Sequence, residues 1–234
     1  MRLQKLQEQW LDKWDEMQGT INWPHITLAA PFISIGPHPT ESLSKRTIMM
    51  VGKATHRDWN LRQFRDFKGK PPLERIEERQ DETTDFLDYR APKHRSFFWA
   101  LHRGLQSSTG ARLIWTNLAK IGVCRPPDEN NSINPFKEFL DSQKKLAQET
   151  LVAEVQEYKP DLVMLVTAEY ALSEIVAPVF CPDGKWETET EGGCSFYVLQ
   201  QRDGRPPVLR TGHPGFKTRA ERAVWIKAAQ DRLV

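Results

Sequence analysis

Cysteine is scarce in this chain, which has three cysteines among its 234 residues. They are Cys124, Cys181 and Cys194, an odd number with no Cys-x-x-Cys pair. This pattern argues against a disulfide framework and against a zinc site. The acidic residues and histidines form no cluster with ligand spacing either, so we expect a protein without a metal or another cofactor.

A strong overall charge and long apolar segments are also absent. The 33 Lys and Arg residues nearly balance the 31 Asp and Glu residues, which leaves a net charge of +2. Any nucleic-acid binding must therefore come from local clusters of basic residues. No apolar run approaches the roughly 20 residues that span a bilayer, and the first residues lack the apolar core of a signal peptide. We expect a cytoplasmic monomer without membrane contact.

The remaining composition is typical of a globular domain with a hydrophobic core. Hydrophobic residues make up 39% of the chain and charged residues 27%, and its length suits a single domain, 1–234. An apolar stripe at three- and four-residue spacing predicts an amphipathic helix over 2–18 that stops at Gly19. The stripe consists of Leu3, Leu6, Trp10, Trp14 and Met17.

Short apolar runs that end in polar residues predict the strands of a buried parallel sheet. A further run, 195–199, predicts a strand with less parallel character. Helical patterns separate the runs, and this alternation predicts an α/β fold: three α/β/α layers around a central, mainly parallel sheet. The parallel strands are predicted at 47–51, 113–117, 161–167 and 208–211, and the helices at 96–105, 135–158 and 219–233.

A long charged stretch at about 57–95 breaks the alternation. Its first half is basic and its middle is acidic. A connection of this length in a compact domain is usually functional, partly helical or mobile. We interpret it as an insertion over the site. Its basic residues are candidates for contact with phosphates: Arg57, Arg62, Arg65, Lys68 and Lys70.

The residues that follow the strands are expected to carry the chemistry, because ligands of parallel α/β sheets bind at the carboxyl ends of the strands. The segment 52–59 follows the first strand, Asn117 ends the second, and the segment 212–219 follows the last. Together they supply two histidines, an aspartate, an asparagine, a tryptophan and several basic groups. We expect all of them on one edge of the sheet.

Three of these strand ends form an ordered series of motifs. They are Val51-Gly52-Lys53-Ala54-Thr55, Leu113-Ile114-Trp115-Thr116-Asn117 and Thr211-Gly212-His213-Pro214-Gly215, with Phe97-Phe98-Trp99-Ala100-Leu101 between the first two. The series resembles the uracil-DNA glycosylase superfamily, in which successive strands end in Gly-Gln-Asp-Pro or Gly-x-Asn-Pro, in Asn, and in His-Pro. The resemblance implies the fold of that superfamily, a monofunctional DNA glycosylase and DNA as its partner. Members with an iron–sulfur cluster need four cysteines, which this chain lacks.

The resemblance also implies roles for individual residues. Cleavage of the N-glycosidic bond leaves an oxocarbenium-like sugar and an anionic base, and His213 would donate a hydrogen bond to the base oxygen. The Asn117 amide would read a pyrimidine edge. The base would lie against Gly52, Lys53, Ala54, Thr55, Trp59, Phe97 and Phe98, and the phosphates against Arg57, Lys217, Arg219 and Arg222.

Each of these roles has a purely structural alternative. His213 can simply end a strand, His56 can be an ordinary loop histidine, and Asn117 can be a turn or cap residue. The basic residues after His213 can form a solvated helix face. Phe97 and Phe98 are adjacent and cannot face the same way on a helix, so we expect one of them in the core.

The first motif departs from the family pattern. The family places the Asp or Asn that positions water two residues after the glycine, where this chain has Ala54, and Thr55 replaces the usual proline. Three readings stay open. Asp58, which we favour over His56, orients the water; stabilisation of the leaving group dominates catalysis; or the protein binds DNA without cutting the bond.

The expected function is hydrolysis of the N-glycosidic bond of a modified pyrimidine. Ala54 and the insertion favour a large base, such as the glucosylated hydroxymethylcytosine that some superfamily members remove from viral DNA in phage defence. The alternatives are uracil excision in base excision repair and a noncatalytic DNA-binding protein on the same fold. A nucleotide-processing enzyme is less favoured, because neither phosphate-cradling glycine motif, G-x-G-x-x-G or G-x-x-x-x-G-K-[ST], occurs.

Overall fold

A computed structural model describes residues 2–20, 27–28, 31–36, 46–54, 69–124, 137–167, 170–180, 186–199, 205–212, 215 and 217–233. The α-helices are α1 (Arg2–Thr20), α2 (Pro72–Asp85), α3 (Phe97–Thr109), α4 (Lys137–Tyr158), α5 (Tyr170–Phe180) and α6 (Arg219–Gln230). A π-helical turn (Phe86–Arg90) and a 3-10 turn (Ala91–Lys93) follow α2. The strands are β1 (Thr27–Leu28), β2 (Thr47–Ala54), β3 (Arg112–Ala119), β4 (Val123–Cys124), β5 (Leu162–Leu165), β6 (Glu187–Glu191), β7 (Cys194–Leu199) and β8 (Val208–Arg210).

The main sheet has six strands in the order β3-β2-β5-β8-β7-β6. The first four are parallel to one another, and β7 and β6 are added antiparallel at one side. A separate antiparallel ribbon joins β1 to β4. The fold is therefore α/β with a mostly parallel open sheet, as the alternation of strand and helix patterns predicts.

The central strand β2 explains why its sequence is an unbroken apolar run. Met49 and Val51 lie in a core cluster with side chains of α1, α4 and α5. Ile48 and Met50 lie in a second cluster with side chains of α3 and α6. Because successive side chains of a strand point to opposite faces, a strand covered on both faces needs apolar residues at every position.

The amino-terminal helix α1 confirms the predicted amphipathic pattern and ends at Thr20, two residues beyond the predicted end. All five residues of its apolar stripe are buried. The indole Nε1 of Trp10 donates a hydrogen bond of 2.8 Å to Thr150 Oγ1 on α4. The stripe is therefore used for packing inside the domain.

Residues 72–93, which belong to the charged stretch, form helices and contribute to the core. Ile76, Phe86 and Ala91 are buried, and Arg75 binds Asp15 of α1 through two hydrogen bonds of 2.7 and 3.1 Å. The sequence analysis assigned no helix here, because the many charges obscure the apolar period. The whole stretch 57–95 was expected to lie over the site; its residues 57–68 lie outside the described part of the chain.

The other elements without a sequence prediction are helix α5 and the strands β1, β4 and β6. The sequence of β6, Glu-Thr-Glu-Thr-Glu, has no apolar residue and is held by backbone pairing with β7. Gly192 and Gly193 join the two strands with φ angles of 55° and 74°, which glycine adopts at low cost in a hairpin turn. No helix within the described residues is long and apolar enough to cross a membrane.

Candidate active site

The carboxyl edge of the parallel strands brings together ends that the sequence analysis singled out. Gly52 of β2 pairs in register with Asn117 of β3. On the other side of β2, the Val166 amide donates to β2 (3.0 Å) and the Thr211 amide donates to β5 (2.9 Å). Leu165, the last residue of β5, therefore lies opposite Val51, and β2 and β3 continue to Ala54 and Ala119 at this edge, where α/β sheets bind ligands.

Two helices begin beside this edge. Ser96 caps α3, and Thr218 caps α6 in a full capping box. The first turn of α3 lies close to β2, since a Cβ added to Gly52 would be 3.5 Å from the ring of Phe98. Helix N-termini carry partial positive charge and unpaired N–H groups, so this edge favours anions.

The Asn117 side chain is the central polar group of the edge. Asn117 is only 3% exposed, and its Oδ1 accepts a hydrogen bond of 3.2 Å from Trp115 Nε1. Its Nδ2 is buried and has no hydrogen-bond partner among the described residues. A Cβ on Gly52 would collide with Asn117 Oδ1, so glycine lets the amide lie directly against β2.

An aromatic cluster holds Trp115 in place beneath this amide. Its ring centroid lies 4.4 Å from that of Phe32 and 4.9 Å from that of Trp99, which it meets edge to face. Phe86 and Phe98 contact it at 5.8 and 6.1 Å. Close-packed rings of this kind have few alternative rotamers, so the direction of the indole N–H is fixed.

Phe97 and Phe98 face different surroundings, as their adjacency on a helix predicts. Phe98 is half-buried and packs against the core. Phe97 is 48% exposed, and the guanidinium of Arg222 lies over its ring at 4.7 Å from the centroid. The first turns of α3 and α6 therefore meet through a cation–π contact at the edge.

The basic groups at the start of α6 are not equivalent. Lys217 Nζ binds the Glu221 carboxylate at 2.9 Å, and this hydrogen bond raises the pKa of Lys217. The pKa of Glu221 falls to about 2, chiefly through the hydrogen bond from the Thr218 backbone and then through Lys217. Arg219 is exposed at the first position of the helix. Because Glu221 compensates Lys217, the two arginines are the stronger candidates for phosphate contact.

No family model matches this chain, and no curated protein matches it. Among the residues that the structure describes, no group of three His, Cys, Asp or Glu side chains could hold a metal ion.

The structure brings together part of the predicted site. Gly52, Asn117 and Phe98 lie close to one another. Phe97 begins α3, Arg219 and Arg222 lie in the first turn of α6, and Lys217 precedes the N-cap of α6. Lys53 is half-buried and, by strand alternation, projects from the opposite face of β2 to Gly52. Lys70, from the charged stretch, binds Glu74 and Glu78.

Several predicted site residues follow β2 and β8 in the sequence. Ala54 ends β2 opposite Ala119, and nothing is described of its side chain. The residues outside the described part of the chain are Thr55, His56, Arg57, Asp58, Trp59, Arg62, Arg65, Lys68 and His213. Their assignments stay predictions from the sequence.

Sequence reasoning missed Trp115 as a functional residue. It was read only as part of a buried strand, although it lies two positions before Asn117 and therefore on the same face of β3. That spacing, with a donor-only indole beside an amide, is the signal that identifies it. The buried pair Lys120 and Glu154, on the α4 side of the sheet, was also missed.

Proposed function

We propose that this chain is a monofunctional DNA glycosylase that hydrolyses the N-glycosidic bond of a modified pyrimidine and leaves an abasic site. The observation that carries the proposal is the buried Asn117 amide, whose Nδ2 lacks a partner among the described residues. An unsatisfied buried donor costs about 1–3 kcal/mol. A group of this kind at the ligand-binding edge of an α/β sheet is well explained by a polar ligand that completes its hydrogen bonds.

The surroundings of Asn117 suit a flat ring turned out of a duplex. Phe98 offers a half-buried aromatic surface beside Gly52, and stacking on such a surface replaces the stacking that a flipped base loses. Gly52 has no Cβ, which lets the Asn117 amide lie against β2 next to this ring. A base in this position would reach the Asn117 amide with its edge.

The first turns of α3 and α6, beside this edge of the sheet, suit contact with a DNA backbone. Arg222 is held over Phe97, Arg219 is exposed one turn earlier, and α3 and α6 direct their N-termini to the same edge. Phosphates bind to such N–H groups and to arginines without regard to sequence. The nearly neutral net charge of +2 makes this local patch the expected source of DNA affinity.

The proposed reaction breaks the bond between C1′ of the sugar and the base nitrogen. The base leaves with the electron pair, His213 donates a hydrogen bond to its oxygen, and the base then takes up a proton from solvent. Water adds to C1′ and loses a proton, with Asp58, or else His56, as the group that orients it. The assignment of His213 rests on the motif series, and that of Asp58 or His56 on their place in the sequence directly after the first motif.

Ala54 stands where the family has the residue that positions water, and this bears on both the substrate and the alternative function. A small residue there leaves space for a base larger than uracil, and we infer glucosylated hydroxymethylcytosine of viral DNA as the substrate to test first. The same substitution supports the second candidate function, a noncatalytic DNA-binding protein.

The test is an abasic-site assay on DNA duplexes that each carry one uracil, hydroxymethylcytosine or glucosylated hydroxymethylcytosine. The chain is incubated with each duplex, abasic sites are cleaved chemically, and products are separated on a gel. We expect abasic sites from a modified cytosine, a loss of about 10²–10³ in rate for His213→Ala and Asn117→Ala, and an unchanged rate for the control Lys227→Ala on the far half of α6.

The possible results separate the candidates. If the chain rapidly excised plain uracil and no modified base, its function would be uracil excision repair, and the modified base would not be its substrate. Salt-dependent DNA binding without abasic sites on any substrate would reject the glycosylase in favour of the noncatalytic protein. Asp58→Ala with full turnover would remove Asp58 from the mechanism.

A further inference from the structure

The Asn117 amide has a fixed orientation. An indole N–H can only donate, and a carboxamide has one accepting end and one donating end. Since Trp115 Nε1 lies 3.2 Å from one end of the buried amide, that end must be the carbonyl oxygen. A rotated amide would set an N–H against an N–H in a buried site, which is a costly arrangement.

The carbonyl oxygen is also closed on its other side. The collision between a Cβ at position 52 and Asn117 Oδ1 means that the Gly52 Cα itself lies against this oxygen. Trp115 cannot withdraw from the first side, because Phe32 and Trp99 pack against its ring at 4.4 and 4.9 Å. The Nδ2 end, which is buried and has no partner among the described residues, is therefore the end left to bond a ligand, and it has two N–H groups and no acceptor.

We propose that Trp115 and Gly52 make Asn117 a donor-only reader, which selects bases whose N3 is an acceptor, as in cytosine and its 5-substituted forms. A uracil-type base carries a hydrogen on N3 and would need an acceptor that the closed oxygen no longer offers. Cytosine-type bases present N3 and O2 as two adjacent acceptors to the N–H groups. Trp115 acts as a positioning residue, through Asn117, and is not itself a catalytic residue.

This inference rests on the proposed function and deepens it by naming the class of base. A site that leaves a buried polar group of the wrong ligand unpaired commonly rejects that ligand by about tenfold to hundredfold or more. We therefore expect cytosine-type bases to be preferred over uracil-type bases by at least about tenfold. The preference is independent of the substituent at C5, because C5 lies away from N3.

The test measures binding as well as cleavage. Two DNA duplexes of identical sequence carry one 2′-fluoroarabino nucleotide, whose fluorine blocks bond cleavage, with either 5-hydroxymethylcytosine or uracil as its base. Dissociation constants are measured by fluorescence anisotropy for the full-length wild type and its variants. Excision rates on the cleavable duplexes are measured in parallel.

Trp115→Phe keeps an aromatic ring, although a smaller one, and removes the N–H. The freed Oδ1 can then turn toward the base, and we expect the cytosine-to-uracil preference to fall by about tenfold or more. Trp99→Phe is the matched control, because it alters a neighbouring ring of the same cluster but leaves the bond between Trp115 and Asn117. It should keep the wild-type ratio.

A second variant guards against failure of Trp115→Phe to fold. Asn117→Asp keeps an acceptor for Trp115 and presents an oxygen instead of N–H₂ to the base. At about pH 8, well above the ordinary carboxyl pKa, its preference should move toward the uracil-type base.

The outcomes distinguish the inference from the proposed function. Equal affinity of wild type for the two bases, or a ratio unchanged in both Trp115→Phe and Asn117→Asp, would overturn the inference even if abasic sites form. A cytosine preference that these variants remove, with no abasic sites on any substrate, would support the inference and reject the glycosylase.

Discussion

The Arg222 guanidinium lies over the Phe97 ring, 4.7 Å from its centroid, and joins the first turns of α6 and α3 at the candidate site. An arginine held in this way contacts phosphate with little further loss of side-chain freedom. Arg222→Ala should weaken DNA binding and reduce the slope of log K against log salt by about 1. Fluorescence anisotropy at several salt concentrations measures both quantities.

The control for Arg222 is Lys227→Ala on the same helix. Lys227 is exposed and binds Glu191 (2.6 Å) and Asp231 (3.5 Å), so its loss should leave the slope unchanged. If both variants have the same slope of log K against log salt as the wild type, Arg222 does not contact a phosphate.

Gly52→Ala should damage the site more than the fold. Its Cβ would collide with Asn117 Oδ1, and the amide would have to turn or move away from β2. We expect excision of the preferred base to fall at least about tenfold and the free energy of unfolding to fall by about 1–3 kcal/mol. Single-turnover rates and urea unfolding measure the two effects.

Gly104→Ala provides the comparison for Gly52. Its Cβ would meet Ile226 Cδ1 at 2.6 Å, the tip of a side chain that can turn aside, and alanine in the interior of α3 gains up to about 1 kcal/mol of helix propensity. Stability and excision should both stay near wild type. Full excision activity in Gly52→Ala would contradict the described packing of Asn117.

Removing Lys120 should strongly destabilise the fold. Lys120 and Glu154 are each 1% exposed and form a buried ion pair, and Glu154 also accepts hydrogen bonds from Ser34 (2.6 Å) and Thr116 (2.8 Å). Burial lowers the pKa of Lys120, and Glu154 opposes that shift. Lys120→Met would leave a buried carboxylate uncompensated and cost about 3–5 kcal/mol in the free energy of unfolding.

Urea unfolding tests this pair with two further variants. Lys120→Met with Glu154→Gln removes both charges and should recover at least half of the loss. Lys227→Met, which breaks an exposed pair, should cost less than about 1 kcal/mol. A Lys120→Met protein as stable as Lys227→Met would mean that the buried pair does not form.

The sequence predicted the elements whose burial is uniform or periodic. β2, β3 and β8 are apolar over consecutive positions because helices cover both faces of the sheet, and α1 shows a single apolar stripe because only one face is covered. Neither signal exists for β6, which is held by backbone pairing and has only Glu and Thr side chains. α2 was missed because charged residues, including the buried Arg75 and Arg79, occupy inward positions.

The candidate site could be predicted only in part, because its geometry depends on side-chain packing as well as on the order of the strands. The order of strand ends placed Gly52 near Asn117, because parallel strands align their carboxyl ends. The closure of Asn117 Oδ1 by Trp115 depends on side-chain packing between β3, α3 and the turn at Phe86, and no sequence period encodes that packing. The compensation of Lys217 by Glu221 likewise follows from the capping box of α6.

His102 should make the stability of the fold depend on pH. It is 8% exposed in α3 and packs against Trp99 with the rings tilted and their centroids 5.0 Å apart. Its Nε2 has no hydrogen-bond partner among the described residues. Burial, with a smaller effect of Arg103, lowers its pKa from 6.5 to about 4. The folded protein therefore holds His102 neutral at pH values where the unfolded chain binds a proton.

The sign of the effect follows from the lowered pKa. The contribution of His102 is fully present above pH 6.5, decreases as the pH falls, and is lost below about pH 4. A pKa difference of one unit corresponds to 1.36 kcal/mol, so the difference between 6.5 and about 4 contributes about 3 kcal/mol to the free energy of unfolding. Urea unfolding at a series of pH values between about 7 and 4 measures the slope.

His102→Gln removes the titrating group and should flatten that slope by up to about 1.4 kcal/mol per pH unit. An identical slope in wild type and His102→Gln would mean that His102 is not buried in solution. Because Trp99 contacts the rings of both His102 and Trp115, the described packing of α3 against Trp115 would then be wrong as well.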